Sequence, residues 1–209
     1  MNRFTLLPDP RFEPLKESLR ERVLAAAAAL DAENFLDVFD VAMRDLAGTA
    51  FTGAGAHEGT VWLGVRKRKS AADATIAALV PVFNTGPDAV RFVGKHRQPI
   101  GKGLISGVFA YEQPFCENEV HRNEKQDPTL DRKLKVRTRA MIAVPLYFAG
   151  TVRGVISCVQ LTRGDGDAGA GAPPGFTISD LRKVQLASEI LTRLIDHRLV
   201  GVTVGWRTE

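Results

Sequence analysis

Two cysteines and four histidines are the residues of this chain that most often act as nucleophiles or metal ligands. Cys116 lies in a polar loop, where an exposed thiolate could react or carry a bilin pigment. Cys158 lies within an apolar run, where a thiol packs as a small hydrophobic group. We therefore interpret Cys158 as structural, and Cys116 as a small residue packed beneath its loop, with the reactive thiol as the alternative.

The histidines at positions 57, 96, 121 and 197 show no metal-binding pattern. None forms an i, i+4 pair, and no carboxylate stands at metal-ligand spacing from them. The sequence therefore predicts no metal site, and we expect no catalytic residue.

Phe92, Leu104 and Ile105 could form an apolar slot for the base of a purine or cyclic nucleotide. The glycines of the segment 101–103 precede a helical pattern, and amides at a helix N-terminus can bind a phosphate. Arg139 could direct a guanidinium group at a ligand carboxylate or phosphate. The alternative is that these residues are core, turn and solvated strand-entry positions around an empty pocket.

Composition indicates one globular domain with no nucleic-acid partner. The chain has 209 residues, of which 44% are hydrophobic, enough for one sizeable core. Its 28 basic and 24 acidic residues give a formal net charge of +4. This is a mixed surface, whereas binding nucleic acid requires a concentrated basic face.

The sequence predicts a cytoplasmic protein with no membrane partner. Two cysteines in a chain of this length indicate no disulfide framework. The N-terminus lacks a basic segment followed by an apolar run of signal-peptide length. The stretch Val23–Leu30 is mostly alanine and less than half of the ~20 residues that a membrane span requires.

The first part of the chain predicts two helices followed by two strands. Apolar residues recur at helical spacing over 14–31 and again, as one second helix, over 35–46, which the following glycines should end. The segments 59–65 and 75–83 have strand composition. Pro81 lacks a backbone donor and should therefore lie at a sheet edge or a bulge.

The middle of the chain predicts a weak strand, a short helix and a strong hairpin. Residues 91–94 are the strand candidate, 101–112 have helical spacing, and a helical turn is expected over 129–136. The segments 140–148 and 152–161 are nearly continuous apolar runs, typical of paired strands covered on both faces.

A long terminal helix is predicted over 177–199, beginning with a capping box at Thr177 and Asp180. The preceding residues 163–175 are rich in glycine and should form a flexible loop. We divide the chain into an N-terminal extension, 1–33, a domain, 34–199, and a C-terminal tail, 200–209. The order of elements predicts an α+β fold with one antiparallel sheet and helices packed on a face.

The chain resembles the GAF family of sensory domains over about residues 35–199. The motifs that carry the resemblance are Gly103-Leu-Ile-Ser-Gly-Val108, Gln113-Pro-Phe115, Asp127-Pro with Asp131, Arg139-Ala-Met-Ile-Ala-Val-Pro-Leu146 and Gly154-Val-Ile156. The chain departs from the family pattern at two positions where glycine is common. Ser106 keeps a small residue, whereas Glu112 replaces the glycine before the turn.

The resemblance implies a central antiparallel sheet of about six strands. The N- and C-terminal helices would pack on one face, and a ligand pocket would lie on the other, under the short helix and a lid loop. Asp127 and Thr138 would supply polar ligand contacts from the lid. The candidate ligand-binding residues, taken together, are Phe92, Leu104, Ile105, Phe109, Cys116, Asn118, Asp127, Thr138, Arg139 and Met141.

The expected function is that of a non-enzymatic sensory or regulatory domain that binds a small molecule, a cyclic nucleotide or another metabolite. No other cofactor is predicted. The terminal helices would relay the ligand state, form a homodimer and contact a downstream signalling protein. One alternative is a ligand-free dimerisation scaffold whose pocket is filled by Phe109 or Met141. Another is a thiol-dependent methionine sulfoxide reductase, although Leu104 and Ile105 occupy the stretch where relatives of that type place a cysteine.

Overall fold

A computed structural model describes residues 13–66, 75–162 and 173–205 of the chain. Within these ranges the helices are α1 (Glu13–Ala29), α2 (Phe35–Val38), α3 (Val41–Gly53), α4 (Ala89–Phe92), α5 (Leu104–Tyr111), α6 (Thr129–Leu134) and α7 (Ile178–Thr203). The strands in the same ranges are β1 (Glu58–Arg66), β2 (Ile76–Asn84), β3 (Gln98–Pro99), β4 (Phe115–Glu117), β5 (Arg137–Phe148) and β6 (Thr151–Thr162).

The strands of the described part form one six-stranded antiparallel sheet in the order β3-β2-β1-β6-β5-β4. The α+β fold class predicted from the sequence is therefore confirmed. The hairpin between β5 and β6 turns through Ala149 and Gly150, which both have positive φ, as a two-residue hairpin turn of this kind requires. Asp196 on α7 accepts a 2.7 Å hydrogen bond from the Ala149 amide and holds this hairpin against the helix.

One face of the sheet, which we call the helix face, is covered by the three N-terminal helices, α1, α2 and α3, and by the long C-terminal helix α7. Its core combines aromatic rings of the N-terminal half with aliphatic side chains of β5, β6 and α7. Phe35 and Phe39 stack with their ring centroids 5.3 Å apart. Phe51 fills the space beside Gly59 that a Cβ atom would need, so β1 can only carry glycine there.

The opposite face of the sheet, which we call the lid face, is covered by α4, α5, α6 and the loops between them. Its apolar cluster is smaller and contains Trp62, Leu79, Met141, Ala143 and Val155 from the sheet. Val108 of α5 and Val120 of the following 3₁₀ turn pack against these side chains.

The structure corrects two of the predicted elements. The helix predicted over 35–46 is two helices, because Asp40 leaves helical geometry and caps α3 by accepting a hydrogen bond from the Met43 amide. The strand predicted over 91–94 is wrong, because Ala89–Phe92 forms α4 and the short strand β3 lies further on. The amide of Gly94 donates a hydrogen bond to the carbonyl of Pro81. The pairing of β1 with β2 shifts its register beside Pro81, where the sequence predicts a sheet edge or a bulge.

The terminal helix begins as predicted, with both hydrogen bonds of the capping box between Thr177 and Asp180. It continues to Thr203, four residues beyond the predicted end, into the segment assigned to the C-terminal tail. Most of the predicted flexible loop, 163–172, lies outside the described residues. No helix in the described ranges is both long and apolar enough to span a membrane.

Candidate functional site

A cavity of about 80 Å³ lies between the lid face and its cover. Neighbouring strands form its floor, and its cover comes from α4, the start of α5 and the segment Gln126–Val136, which we call the lid. The cavity is therefore larger than the site of a single buried water.

Strand alternation brings three residues of β1 and three of β6 to the cavity floor. Successive side chains of a strand point to opposite faces, so every second residue shares a face. The cavity-lining residues of these strands follow this period: Glu58, Thr60 and Trp62 on β1, and Ser157, Val159 and Leu161 on β6. The indole N–H of Trp62 donates a 2.9 Å hydrogen bond to Ser157 Oγ and holds the ring on the floor.

A bulge at Arg139 directs Thr138 into the cavity. Thr138 pairs with Leu161 and Ala140 with Gln160, so Arg139 is an extra residue in β5. Ala140 packs in the helix-face core, and without the bulge Thr138 would lie on that same face.

Thr138 is also where the lid joins the sheet. Its backbone N–H and its hydroxyl each donate a 2.8 Å hydrogen bond to the carboxylate of Asp131. Gln126 donates a third hydrogen bond, of 3.1 Å, to the same carboxylate. The Asp131 carboxylate therefore connects the start of the lid to β5.

Asp127 connects the lid to the start of α5. Its carboxylate accepts hydrogen bonds from the Thr129 hydroxyl at 2.6 Å and from Gln98 Nε2 at 3.2 Å, and it pairs with Lys102 Nζ at 3.4 Å. Burial alone would raise the pKa of Asp127, but these donors outweigh burial and lower the pKa to about 2. Its Cβ also lies against Gly103, the N-cap of α5, so this carboxylate stands beside the helix N-terminus.

The structure brings six of the ten candidate ligand-binding residues to this one cavity. They are Phe92, Leu104, Ile105, Asp127, Thr138 and Met141. They come from three elements, α4, α5 and β5, and from the lid, so their convergence is a property of the fold and not of any local motif.

The other four candidates lie away from the cavity. Phe109 is one turn beyond Ile105 on α5 and packs in the apolar cluster of the lid face. On β4, Phe115 faces that cluster, so the next residue, Cys116, faces the helix-face core. Arg139, the bulged residue, instead lies with a guanidinium nitrogen 3.1 Å from His121 Nε2.

Asn118, the fourth of these candidates, holds the chain just before α7. Its side-chain oxygen accepts a 2.7 Å hydrogen bond from the Phe176 amide, and its side-chain nitrogen donates a 3.0 Å bond to the Phe176 carbonyl. Gln160 binds Gly175 in the same two-bond manner. These two amide side chains form what we call the clamp.

Comparison with solved structures identifies the fold. No protein-family model and no curated protein matches the chain. The GAF domain of a phosphoenolpyruvate-protein phosphotransferase from Coxiella burnetii superposes with a TM-score of 0.57 at 18% identity, covering 94% of this chain and 99% of that one. The GAF domain of the Acinetobacter phosphoenolpyruvate-protein phosphotransferase gives 0.54 at 14% identity, covering 88% and 94%. This chain has the GAF fold.

A third structure of similar fold is free methionine-R-sulfoxide reductase from Neisseria meningitidis in complex with its substrate. It superposes on the present GAF fold with a TM-score of 0.51 at 18% identity, covering 95% of this chain and 98% of that one. In the present chain neither cysteine lines the cavity. Burial raises the pKa of Cys158, and burial together with the nearby Glu117 and Asp180 raises the pKa of Cys116.

The two departures from the GAF pattern have different consequences. Ser106 is fully buried and donates a 2.8 Å hydrogen bond to the Pro99 carbonyl, so it joins α5 to β3. Glu112 caps the end of α5 in the left-handed conformation, with φ 56°, as a glycine would. The end of α5 therefore adopts a conformation typical of glycine without having a glycine there.

Several cavity residues of this GAF fold were not among the predicted candidates, and about half of these are polar. They include Glu58, Thr60, Asn84, Gln98, Gln126 and Ser157. Alternation along the predicted strands was the signal that could have placed Thr60 and Ser157 on one face. Asn84 and Gln98 carry no comparable signal, because Asn84 reaches the cavity only when β2 pairs with β1, and Gln98 only when β3 pairs with β2.

Proposed function

We propose that this GAF-fold chain is a non-enzymatic sensory or regulatory domain that binds a small molecule beneath the lid. The observation that carries the proposal is the cavity itself, in which hydroxyl, amide and carboxylate groups are buried among apolar walls. Ligand sites typically combine apolar walls with a few placed polar groups in this way. A scaffold without a ligand would have no use for such groups, which cost free energy to bury.

The size of the cavity favours a small metabolite over a cyclic nucleotide. Pockets for drug-sized ligands usually occupy about 300–1,000 Å³, compared with about 80 Å³ here. A cyclic nucleotide would require the lid to move away from Thr138, breaking the hydrogen bonds to Asp131. Cyclic nucleotides are therefore the second candidate ligand class.

The clamp supports a relay from the lid to α7. Asn118 lies between β4 and the lid, and its hydrogen bonds reach the residue two positions before α7 begins. A ligand that binds one lid position better than another shifts the balance between the two. Movement of the lid would reach α7 through Asn118, and would reach α1 because α1 packs against α7.

We further propose that α7 pairs with α7 of a second copy. Leu186, Ile190 and Leu194 follow one another at one-turn spacing and are 58%, 38% and 38% exposed. A two-fold dimer uses the same patch on both subunits, and a straight apolar stripe matches itself. Replacing all three by Gln should abolish concentration-dependent association in sedimentation experiments, whereas Val90→Gln on exposed α4 should leave association unchanged. A monomer at all concentrations would remove this part of the proposal.

The direct test of ligand binding is native mass spectrometry of freshly purified protein, followed by thermal shift with a metabolite panel that includes cyclic nucleotides. A retained small molecule, or an increase in Tm with one compound class, supports the sensory function. An unliganded mass together with no Tm shift would favour the dimerisation scaffold. Methionine sulfoxide turnover that is lost in Cys116→Ser would favour the reductase.

The two free cysteines are consistent with the proposed cytoplasmic location.

A further inference from the structure

The titratable groups that line the cavity are all acidic. Three carboxylates, those of Glu58, Asp127 and Asp131, face it, and no Lys, Arg or His among the described residues does. Glu58 is 6% exposed, and the Asp127 side chain is 5% exposed. Charges in such a poorly solvated space act on a ligand much more strongly than surface charges do.

Most of the hydrogen bonds to Asp127 and Asp131 come from neutral groups. Asp131 is held by the amide and hydroxyl of Thr138 and by Gln126, which satisfy its oxygens but leave its negative charge. Lys102 pairs with Asp127, but its side chain is 62% exposed and lies at the rim. Asp131 therefore leaves a negative charge in the lining.

The place where this fold could receive an anion is already taken by an acidic side chain. The N-terminus of α5 carries the glycine segment that could bind phosphate, and Asp127 lies against Gly103 at that point. A phosphate or carboxylate of a ligand would meet the charged Asp127 there, and like charges at short distance repel. The geometry opposes the cyclic-nucleotide alternative.

The remaining walls suit a short hydrocarbon chain. Trp62 and Phe92 add aromatic surface, and Leu104, Leu130 and Val159 add aliphatic surface. An organic ammonium group is attracted both to carboxylates and to aromatic rings, while its alkyl chain packs on apolar walls.

We infer that the ligand is a small alkyl amine or diamine, with its ammonium group directed at Asp131 and Glu58 and its chain against the apolar wall. The inference rests on the proposed small-molecule function and names the class of that ligand. At about 80 Å³ the cavity is smaller than pockets for drug-sized ligands, which favours a short compound. Thr60 and Thr138 supply hydroxyl acceptors beside the same carboxylates.

The test is calorimetric titration of the full chain at low salt with compounds that share one four-carbon skeleton and differ in charge. These are 1,4-diaminobutane, n-butylamine, 1,4-butanediol and butanedioate, with cyclic AMP and MgCl₂ as further ligands. We expect the diamine to bind and the diol to bind at least about tenfold more weakly. Butanedioate, cyclic AMP and MgCl₂ should give no heat of binding. Raising the salt concentration should weaken the diamine, because screening reduces charge attraction.

Matched variants test which carboxylates are responsible. Asp131→Asn and Glu58→Gln should each weaken the diamine about tenfold or more. Asp45→Asn and Glu21→Gln make the same changes at exposed positions and should leave the affinity unchanged. Lys102→Gln removes a rim cation and should tighten the diamine about two- to fivefold. Because Lys102 is exposed, this last variant keeps the inference testable even if Asp131→Asn fails to fold.

The outcomes separate this inference from the proposed function. Binding of butanedioate, cyclic AMP or Mg²⁺ without the diamine, or weaker diamine binding in Lys102→Gln, would overturn the cationic ligand and leave a small-molecule sensor. No binding by any compound, together with an unliganded mass in the native spectrum, would overturn both.

Discussion

The two faces of the sheet are built from the same strands but differ in what they bury. The helix face holds a large core of aromatic and aliphatic side chains, including Phe35, Phe148 and Ile195. The lid face has a smaller apolar cluster and adds buried hydroxyls, amides and carboxylates around a cavity. This difference indicates that the helix face supplies most of the folding free energy. The lid face is packed less densely and leaves space for a ligand.

Neighbouring residues on β5 show how finely this division is drawn. Ile142 is fully buried in the helix-face core, and Met141, one position earlier, lines the cavity. Because side chains alternate across a strand, the two residues share a backbone environment and differ in face. They provide a matched pair for testing the comparison.

The largest expected effect is the loss of stability in Ile142→Ala. Removing a fully buried aliphatic side chain from a close-packed core typically costs about 2–5 kcal/mol. Met141→Ala should cost clearly less, because Met141 already borders an open space and its loss only enlarges that space. The free energies of unfolding of both variants, measured by urea denaturation, check the prediction. Equal losses, or a larger loss in Met141→Ala, would mean that the lid face is packed as tightly as the helix face.

Two aspartates with similar hydrogen bonds, Asp127 in the lid and Asp180 in the first turn of α7, allow the acid sensitivity of the two regions to be compared. Asp127 accepts a hydrogen bond from the Thr129 hydroxyl, and Asp180 accepts one from the Thr177 hydroxyl, both at 2.6 Å. Hydrogen bonds from Thr177 and Lys183 lower the pKa of Asp180 to about 2, the value also reached by Asp127. A carboxyl group with a lowered folded-state pKa stabilises the protein above its unfolded pKa and loses that contribution as the pH falls.

For Asp127 we expect a contribution of about 2 kcal/mol at neutral pH, lost as the pH falls from about 4 to about 2. Asp127→Asn should therefore be less stable than wild type at pH 7 and should differ little from it at pH 2. Asp180→Asn should show the same pH dependence with a smaller cost of about 1 kcal/mol, since it removes a cap at an exposed helix end. Urea unfolding between pH 2 and 7 measures both. A difference for Asp127→Asn that persists at pH 2 would show that its effect is not electrostatic.

The sequence predicts the four long strands and the first and last helices well because their apolar patterns are long and continuous. It predicts the lid face less well, because that face depends on residues that meet only in three dimensions. Asn118 precedes the lid in the sequence, but its side chain binds Phe176 and not the cavity. The bulge at Arg139 places Thr138 at the cavity and Arg139 away from it. No residue type in that segment predicts an extra residue in the strand.

The clamp connects the two faces, and breaking it should have an intermediate effect. Asn118→Ala removes both hydrogen bonds to Phe176 and should lower stability by about 1–2 kcal/mol. Hydrogen exchange should become faster at the Phe176 amide and at the start of α7, with little change at the hairpin. Asn123→Ala is the matched control, because Asn123 only accepts a bond from the Lys125 amide in an exposed turn. Equal protection of Phe176 in wild type and Asn118→Ala would show that the clamp does not hold this segment.

The smallest effect is expected where a lid-face helix ends in a strained residue. Glu112 and Lys135 end α5 and α6 with φ of 56° and 57°, a conformation that glycine adopts with least cost. Glu112 also accepts a 2.9 Å hydrogen bond from the Tyr147 hydroxyl, at an exposed position.

Glu112→Gly should raise stability by about 0.5–1 kcal/mol, because relief of the left-handed strain outweighs one exposed hydrogen bond. Tyr147→Phe removes that bond alone, so the double variant isolates the backbone contribution of Glu112. In the Tyr147→Phe background, Glu112→Gly should stabilise by more than it does in wild type. Destabilisation in that background would mean that the end of α5 is not strained. The lid face would then differ from the helix face in its packing alone, and not in backbone strain.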